Sequence, residues 1–132
     1  MSFLIDTNIT SGYLRGYRRI GQKFMQFGGS LTMSTISQGE LLAWSYRRRT
    51  SEVMRGAIHD ILGLFEFLSV DSEVSDRFAR IRAELLDAGH PVSTFDLMIA
   101  ATALVNDLTV VTRNTTDFAA VPGLRLENWH DE

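Results

Sequence analysis

Short apolar runs alternate with longer segments of helical periodicity along nearly the whole chain, and few folds accommodate that alternation. Phe3-Leu4-Ile5, Leu31 to Thr35, Phe67 to Val70, Thr109 to Thr112 and Leu124 to Leu126 read as strands. Helices fill the intervals. Strands that alternate with helices imply a parallel sheet covered on both faces. Right-handed crossovers then fix most of the topology. The expected architecture is an α/β three-layer fold: a short parallel sheet of four to five strands with helices on both faces, in a single domain spanning 1–132.

The helical intervals carry their own start and stop signals. Residues from about Ile9 to Phe27 suggest two helical pieces broken near Gly16, with Gly28-Gly29 ending the second. Ser37 to Arg48 follows, and Ser37 with Glu40 has the form of a capping box. From Ser51 to Phe65, Val53, Ala57, Ile61 and Phe65 fall at four-residue steps. From Ser72 to Ala88, Val74, Phe78, Ile81 and Leu85 mark one face, and Gly89 and Pro91 stop the helix. Thr94 to Asn106 is apolar nearly all round, which predicts a buried helix.

In parallel sheets ligands bind beyond the carboxyl ends of the strands, at the switch point in strand order. Four carboxylates fall in such places. Asp6 directly follows the first strand, and Glu40 opens the helix after the second. Asp96 opens the buried helix, and Asp117 lies five residues beyond the fourth strand. Each has a structural reading of its own: turn chemistry for Asp6 with Asn8, capping for Glu40, helix-dipole complementation for Asp96, a turn cap for Asp117. Asp71, after the third strand, reads as a helix start. Four converging carboxylates would repel one another and raise at least one pKa, and a divalent cation would relieve that conflict. With no cysteine in the chain, and His59, His90 and His130 reading as solvated, oxygen-preferring Mg²⁺ or Mn²⁺ suits the donors better than zinc. Such a site suits phosphodiester hydrolysis. No P-loop, glycine fingerprint or nucleophile elbow competes with it.

Charge narrows how a phosphate polymer would be held. The formal net charge is −3, so global attraction is excluded and a local basic patch or a bound cation is needed. The basic residues are arginines except Lys23, clustered at Arg15, Arg18 and Arg19 and at Arg47, Arg48 and Arg49. The second cluster reads equally as cations at a helix C-terminus or as phosphate contacts. The absence of cysteine fits a reducing cytosol. No signal-peptide pattern is visible, nor a run of the ~18 apolar residues that a spanning helix needs.

Leu4-Ile5-Asp6-Thr7-Asn8, Ser37-x-x-Glu40-Leu41, Asp96-Leu97-Met98-Ile99-Ala100-Ala101 and Thr112-Arg113-Asn114-x-x-Asp117-Phe118 resemble the PIN-domain family, and most of all its VapC-type toxins. The closing Gly123-Leu124-x-Leu126-Glu127-x-Trp129 is similar to the family's last strand. The resemblance implies a PIN-like fold and an endoribonuclease of a bacterial toxin–antitoxin pair. Asp6, Glu40, Asp96 and Asp117 would hold Mg²⁺ or Mn²⁺, with Thr7, Asn8, Thr112 and Asn114 at the margin orienting carboxylates or water. It also implies RNA as substrate, a cognate antitoxin protein as partner, a homodimer, and no membrane association. Two other readings keep the fold: an RNA-processing nuclease, and a non-catalytic PIN-like binding module. A phosphorylated receiver domain would need adjacent acidic residues after the first strand and a late lysine, whereas Thr7 follows Asp6 and the sole lysine is Lys23.

Overall fold

A computed structural model describes residues 2–130. Among them, five strands form one all-parallel sheet: β1 (Phe3–Ile5), β2 (Leu31–Ser34), β3 (Glu66–Leu68), β4 (Thr109–Val111) and β5 (Leu126–Glu127), in the order β3-β2-β1-β4-β5. The chain builds outward from β1 through β2 to β3, then returns to the other side of β1 with β4. The switch point therefore lies between β1 and β4, where Ile5 pairs with Val111.

The helices are α1 (Thr7–Leu14), α2 (Arg18–Gln26), α3 (Thr35–Tyr46), α4 (Glu52–Leu62), α5 (Ser72–Asp87), α6 (Thr94–Val105) and the single turn α7 (Thr115–Phe118), with a 3-10 turn at Gly28–Ser30. Side chains alternate across β1 as a pleat requires. Phe3 and Ile5 enter a core shared with residues of α1 to α4, whereas Leu4 enters a second core with α5 and α6. Val111 and Val110 divide in the same way. The all-parallel, doubly covered sheet agrees with the sequence reading, and five strands is the upper of its two counts.

Several local expectations need correction. Gly16 does break the first helical stretch, with φ +88°, but α1 begins at Thr7 rather than Ile9. The capping box at Ser37 does not form. Chain direction changes within one residue after β2, so α3 starts at Thr35. Ser34, the last strand residue, is its N-cap, accepting from the Ile36 amide at 3.1 Å. Ser37 is buried inside the helix and Glu40 is its sixth residue, one turn beyond where a cap reaches. In α4 the buried face is Ile58, Ile61 and Leu62. Val53 is 84% exposed, and Phe65 lies beyond the helix. The four-residue steps followed a stripe that drifts off the true face, because helical residues advance by 3.6 per turn. Asp71 caps α5 through the Val74 amide, as expected of a helix start. His130 is buried with its ring 4.2 Å from that of Tyr17, contrary to the solvated reading. His59 and His90 are exposed. No helix among the described residues is long and apolar enough to cross a membrane.

The two serines of the β2–α3 junction make separable predictions. Ser34→Ala removes a working cap and should destabilise the protein by about 1 kcal/mol. Ser37→Ala removes a buried hydroxyl that has no hydrogen-bond partner among the described residues, and should be neutral or slightly stabilising. Urea denaturation of the two variants measures the difference.

Candidate functional site: carboxylates at the sheet switch point

Asp6 leaves β1 at the switch point and at once becomes the N-cap of α1. Its Oδ1 accepts from the Thr7 amide at 2.8 Å. Its Oδ2 accepts from the Thr112 hydroxyl, also at 2.8 Å, just past β4. The Thr112 Oγ1 is saturated: it donates to Asp6 and accepts from the Asn8 side-chain amide at 3.4 Å and from the Asn114 backbone amide at 3.0 Å. Asn8 closes the link by accepting from the Arg113 amide at 3.1 Å. Asp6, Asn8 and Thr112 thus lock the loop after β4 onto the start of α1. Asn114 enters that lock through its backbone, and its carbonyl receives the Asp117 and Phe118 amides that begin α7.

Thr7 faces the other way and donates its hydroxyl to Glu40 Oε1 at 2.6 Å. Glu40 therefore belongs to a contact between α1 and α3 rather than to a cap. Asp96 is the third residue of α6, partly buried, and its amide donates to the capping Ser93 hydroxyl at 3.1 Å. Asp117 is exposed on α7.

Asp6 is 6% exposed, and burial is the main reason its pKa is pushed up from 3.8 to about 6. The Thr112 and Thr7 hydrogen bonds pull it down, and the charges of Asp96 and Glu40 push it up. Burial also raises Asp96. Ser93 counters that effect, while Asp117 and Glu40 add to it. All four carboxylates thus act on one electrostatic neighbourhood. Among the described residues no three acidic or imidazole side chains are gathered closely enough to ligate one metal ion. The donor set nonetheless fits a hard cation: oxygen only, negatively charged, with a carboxylate whose charged form is disfavoured by burial and by its neighbours. Mg²⁺ keeps several of its waters and needs only one or two carboxylates directly.

Sequence reasoning missed Ser34 as a residue that aims a site helix, and set Ser93 three residues before Asp96 without giving it the cap it forms. The signal was available: each is a serine directly before a helix, a preferred N-cap. The resemblance placed Thr7 at the site's margin, orienting carboxylates or water, but did not pair it with Glu40, 33 residues away in sequence.

The class of protein defined so far is a parallel α/β domain with acidic residues at the switch point of its sheet. The PIN domain profile matches residues 3–124, and the chain belongs to the PIN domain family. It is 31% identical over 98% of both chains to the tRNA(fMet)-specific endonuclease VapC of Shigella flexneri. It is 29% identical to the toxin FitB of Neisseria gonorrhoeae, covering 97% of this chain and 99% of that one. Among solved structures it is similar to the DNA-bound VapBC of Salmonella typhimurium, with a TM-score of 0.91, 29% identity and 98% of each chain covered.

The raised pKa of Asp6 has a defined sign for stability. A carboxyl with a folded pKa above its unfolded one favours folding below the unfolded value. That contribution is lost as pH rises through the folded value, here between about 4 and about 6. The gap corresponds to about 3 kcal/mol of destabilisation at neutral pH. In chelator, Asp6→Asn should therefore be more stable than the parent at pH 7.5, less whatever its altered hydrogen bonds cost. The advantage should vanish by pH 4. Urea denaturation at both pH values reads it; an advantage that grew toward low pH would refute the burial penalty.

Proposed function

We propose that this protein is a metal-dependent endoribonuclease acting as the toxin of a bacterial toxin–antitoxin pair. The reading is carried by one observation: a buried carboxylate, Asp6, held at the sheet's switch point by Thr112, with Glu40, Asp96 and Asp117 in its electrostatic neighbourhood. Relatives across the full length of the chain, named as ribonucleases and toxins, support it.

In this reading Asp6, Glu40, Asp96 and Asp117 hold Mg²⁺ or Mn²⁺. When bound, such an ion supplies activation of a water and neutralisation of charge growing on the scissile phosphate. The chain's own residues do the positioning. Thr112 fixes one oxygen of Asp6, and the Thr7 amide fixes the other, so the carboxylate keeps one orientation. The Thr7 hydroxyl steadies Glu40. Ser93 and the N-terminus of α6 stabilise the ionised form of Asp96. Asn8 and Asn114 keep the β4 loop, and with it Asp117, near the other three. A phosphate cannot approach four carboxylates unaided, so activity depends on the cation. The same acidity suits an antitoxin that covers the cleft with an Arg, since Arg pairs bidentately with carboxylates. The active form is read as a homodimer.

Two measurements test this. RNA cleavage should stop in excess chelator and return with Mg²⁺ or Mn²⁺; undiminished cleavage in chelator would end the metal reading. Asp96→Asn separates chemistry from helix capping. Asn preserves size and hydrogen bonding but removes a charge that its neighbours disfavour. Without metal the variant should melt at or above the parent's temperature. It should gain less stability from Mn²⁺, because a ligand stabilises only as far as it binds tightly. Its cleavage rate should fall by orders of magnitude. A destabilised variant with normal cleavage would make Asp96 a helix-dipole residue only.

A further inference from the structure

Helices α1 and α3 lie side by side, both leaving the carboxyl edge of the sheet. At that edge Thr7 meets Glu40. Farther along, the Arg15 guanidinium sits 5.3 Å from the centre of the Trp44 ring. Trp44 lies four residues after Glu40, and Arg47 lies seven after Glu40, so all three fall on one flank of the helical path. They span about 10 Å along it. Beyond Trp44, a cleft of about 420 Å³ is lined by Trp44, Arg47, Arg49, Thr50, Ser51 and Met54.

The loop that forms this cleft is fixed from within. Thr50 donates its hydroxyl to the Trp44 carbonyl at 2.6 Å and its amide to the Arg47 carbonyl at 3.1 Å. Arg55 reaches back from α4 to the carbonyls of Ser45 at 2.7 Å and Arg47 at 2.9 Å. One arginine is thus spent holding the backbone that presents three others. Arg47, Arg48 and Arg49 are exposed, and no ion pair among the described residues involves them or Arg15. In a chain of net charge −3, this is cationic surface left uncompensated beside an acidic centre.

We propose that this cleft is a nucleotide subsite for single-stranded RNA, flanking the carboxylate centre. A base would pack against the part of Trp44 that lines the cleft, clear of Arg15 and of the core beneath the ring, while the Arg47 and Arg49 guanidinia take the adjoining phosphates. The inference rests on the ribonuclease reading above. Aromatic rings serve any base as a stacking platform, and arginines track the backbone. The subsite solves a problem that the acidic centre creates: it supplies attraction where the cleavage site repels the strand.

The two tryptophans make the test direct. Trp129 is 1% exposed, so changes in emission on RNA binding report Trp44. A seven-nucleotide single-stranded RNA in excess chelator should quench the parent's fluorescence saturably, and Trp44→Phe should abolish that signal. In metal-supported cleavage, Trp44→Ala should raise KM roughly tenfold with a much smaller fall in kcat. Arg47→Ala with Arg49→Ala should flatten the slope of log affinity against log salt by about 1.4, or about 0.7 per lost phosphate contact. Arg77→Glu changes net charge by the same two units from α5, on the opposite face of the sheet, and should leave the slope alone. Should Trp44→Ala not fold, the parent's quenching and the exposed arginine pair decide the matter. A parent that cleaves RNA while KM, quenching and salt slope ignore these residues overturns the subsite and spares the nuclease. The subsite also falls if RNA kinetics are unchanged but affinity for an acidic peptide drops, which would make this a protein-binding face. A parent that neither binds nor cleaves RNA overturns both readings.

Discussion

A carboxylate buried at the end of a central strand is the constraint around which this molecule is arranged. Asp6 sits where β1 stops and α1 begins, with its backbone amide paired to β4 and its side chain surrounded by protein. Burying a charge costs free energy unless hydrogen bonds replace water. Thr7 supplies one from the new helix and Thr112 one from the neighbouring strand end. Those two bonds offset the burial only in part, so the carboxyl keeps a raised pKa. Local sequence alone could satisfy a cap, but the Thr112 bond needs β1 and β4 to be adjacent. The parallel pairing of β1 with β4 and the state of Asp6 are thus one arrangement seen at two scales.

The helices extend that arrangement outward. The three longer helices that carry candidate site residues are each aimed by a polar cap at the end of the segment before it: Asp6 for α1, Ser34 for α3, Ser93 for α6, whereas the single turn α7, which carries Asp117, starts without a side-chain cap. Caps satisfy amides that would otherwise be orphaned, and so they fix where a helix starts and which way its first turn points. The cores on the two faces then hold the helices in place. Phe3, Ile5 and Val111 anchor α1 to α4, and Leu4 and Val110 anchor α5 and α6. An acidic centre that costs stability is carried by a sheet whose central strand is buried on both sides.

Charge is distributed to the same end. The carboxylates gather at the switch point, and among the described residues Arg15, Arg47, Arg48 and Arg49 form no ion pair along the flank of α1 and α3. Pairing those arginines with surface acids would contribute little, since exposed ion pairs contribute about 0–1 kcal/mol. Leaving them free keeps a positive surface within reach of a centre that would otherwise repel a polyanion.

Much of this was legible in the sequence. The alternation of apolar runs and helical periods determined a parallel, doubly covered sheet, because period and burial are local properties of side-chain spacing. The positions of Asp6, Glu40, Asp96 and Asp117 relative to strand ends pointed to the edge where a site would lie. The tail position of His130 misled because neighbours along the chain do not reveal what packs on a residue from elsewhere, the stripe chosen for α4 because four-residue steps drift from the 3.6-residue period, and the cap assigned to Ser37 because the helix starts earlier, at Thr35. Only the tertiary structure decided that Glu40 meets Thr7, that Thr112 holds Asp6, and that Arg15 covers Trp44. Those contacts join residues 29 to 106 positions apart. Their energies depend on burial and on the closing of long loops, neither of which a local pattern encodes.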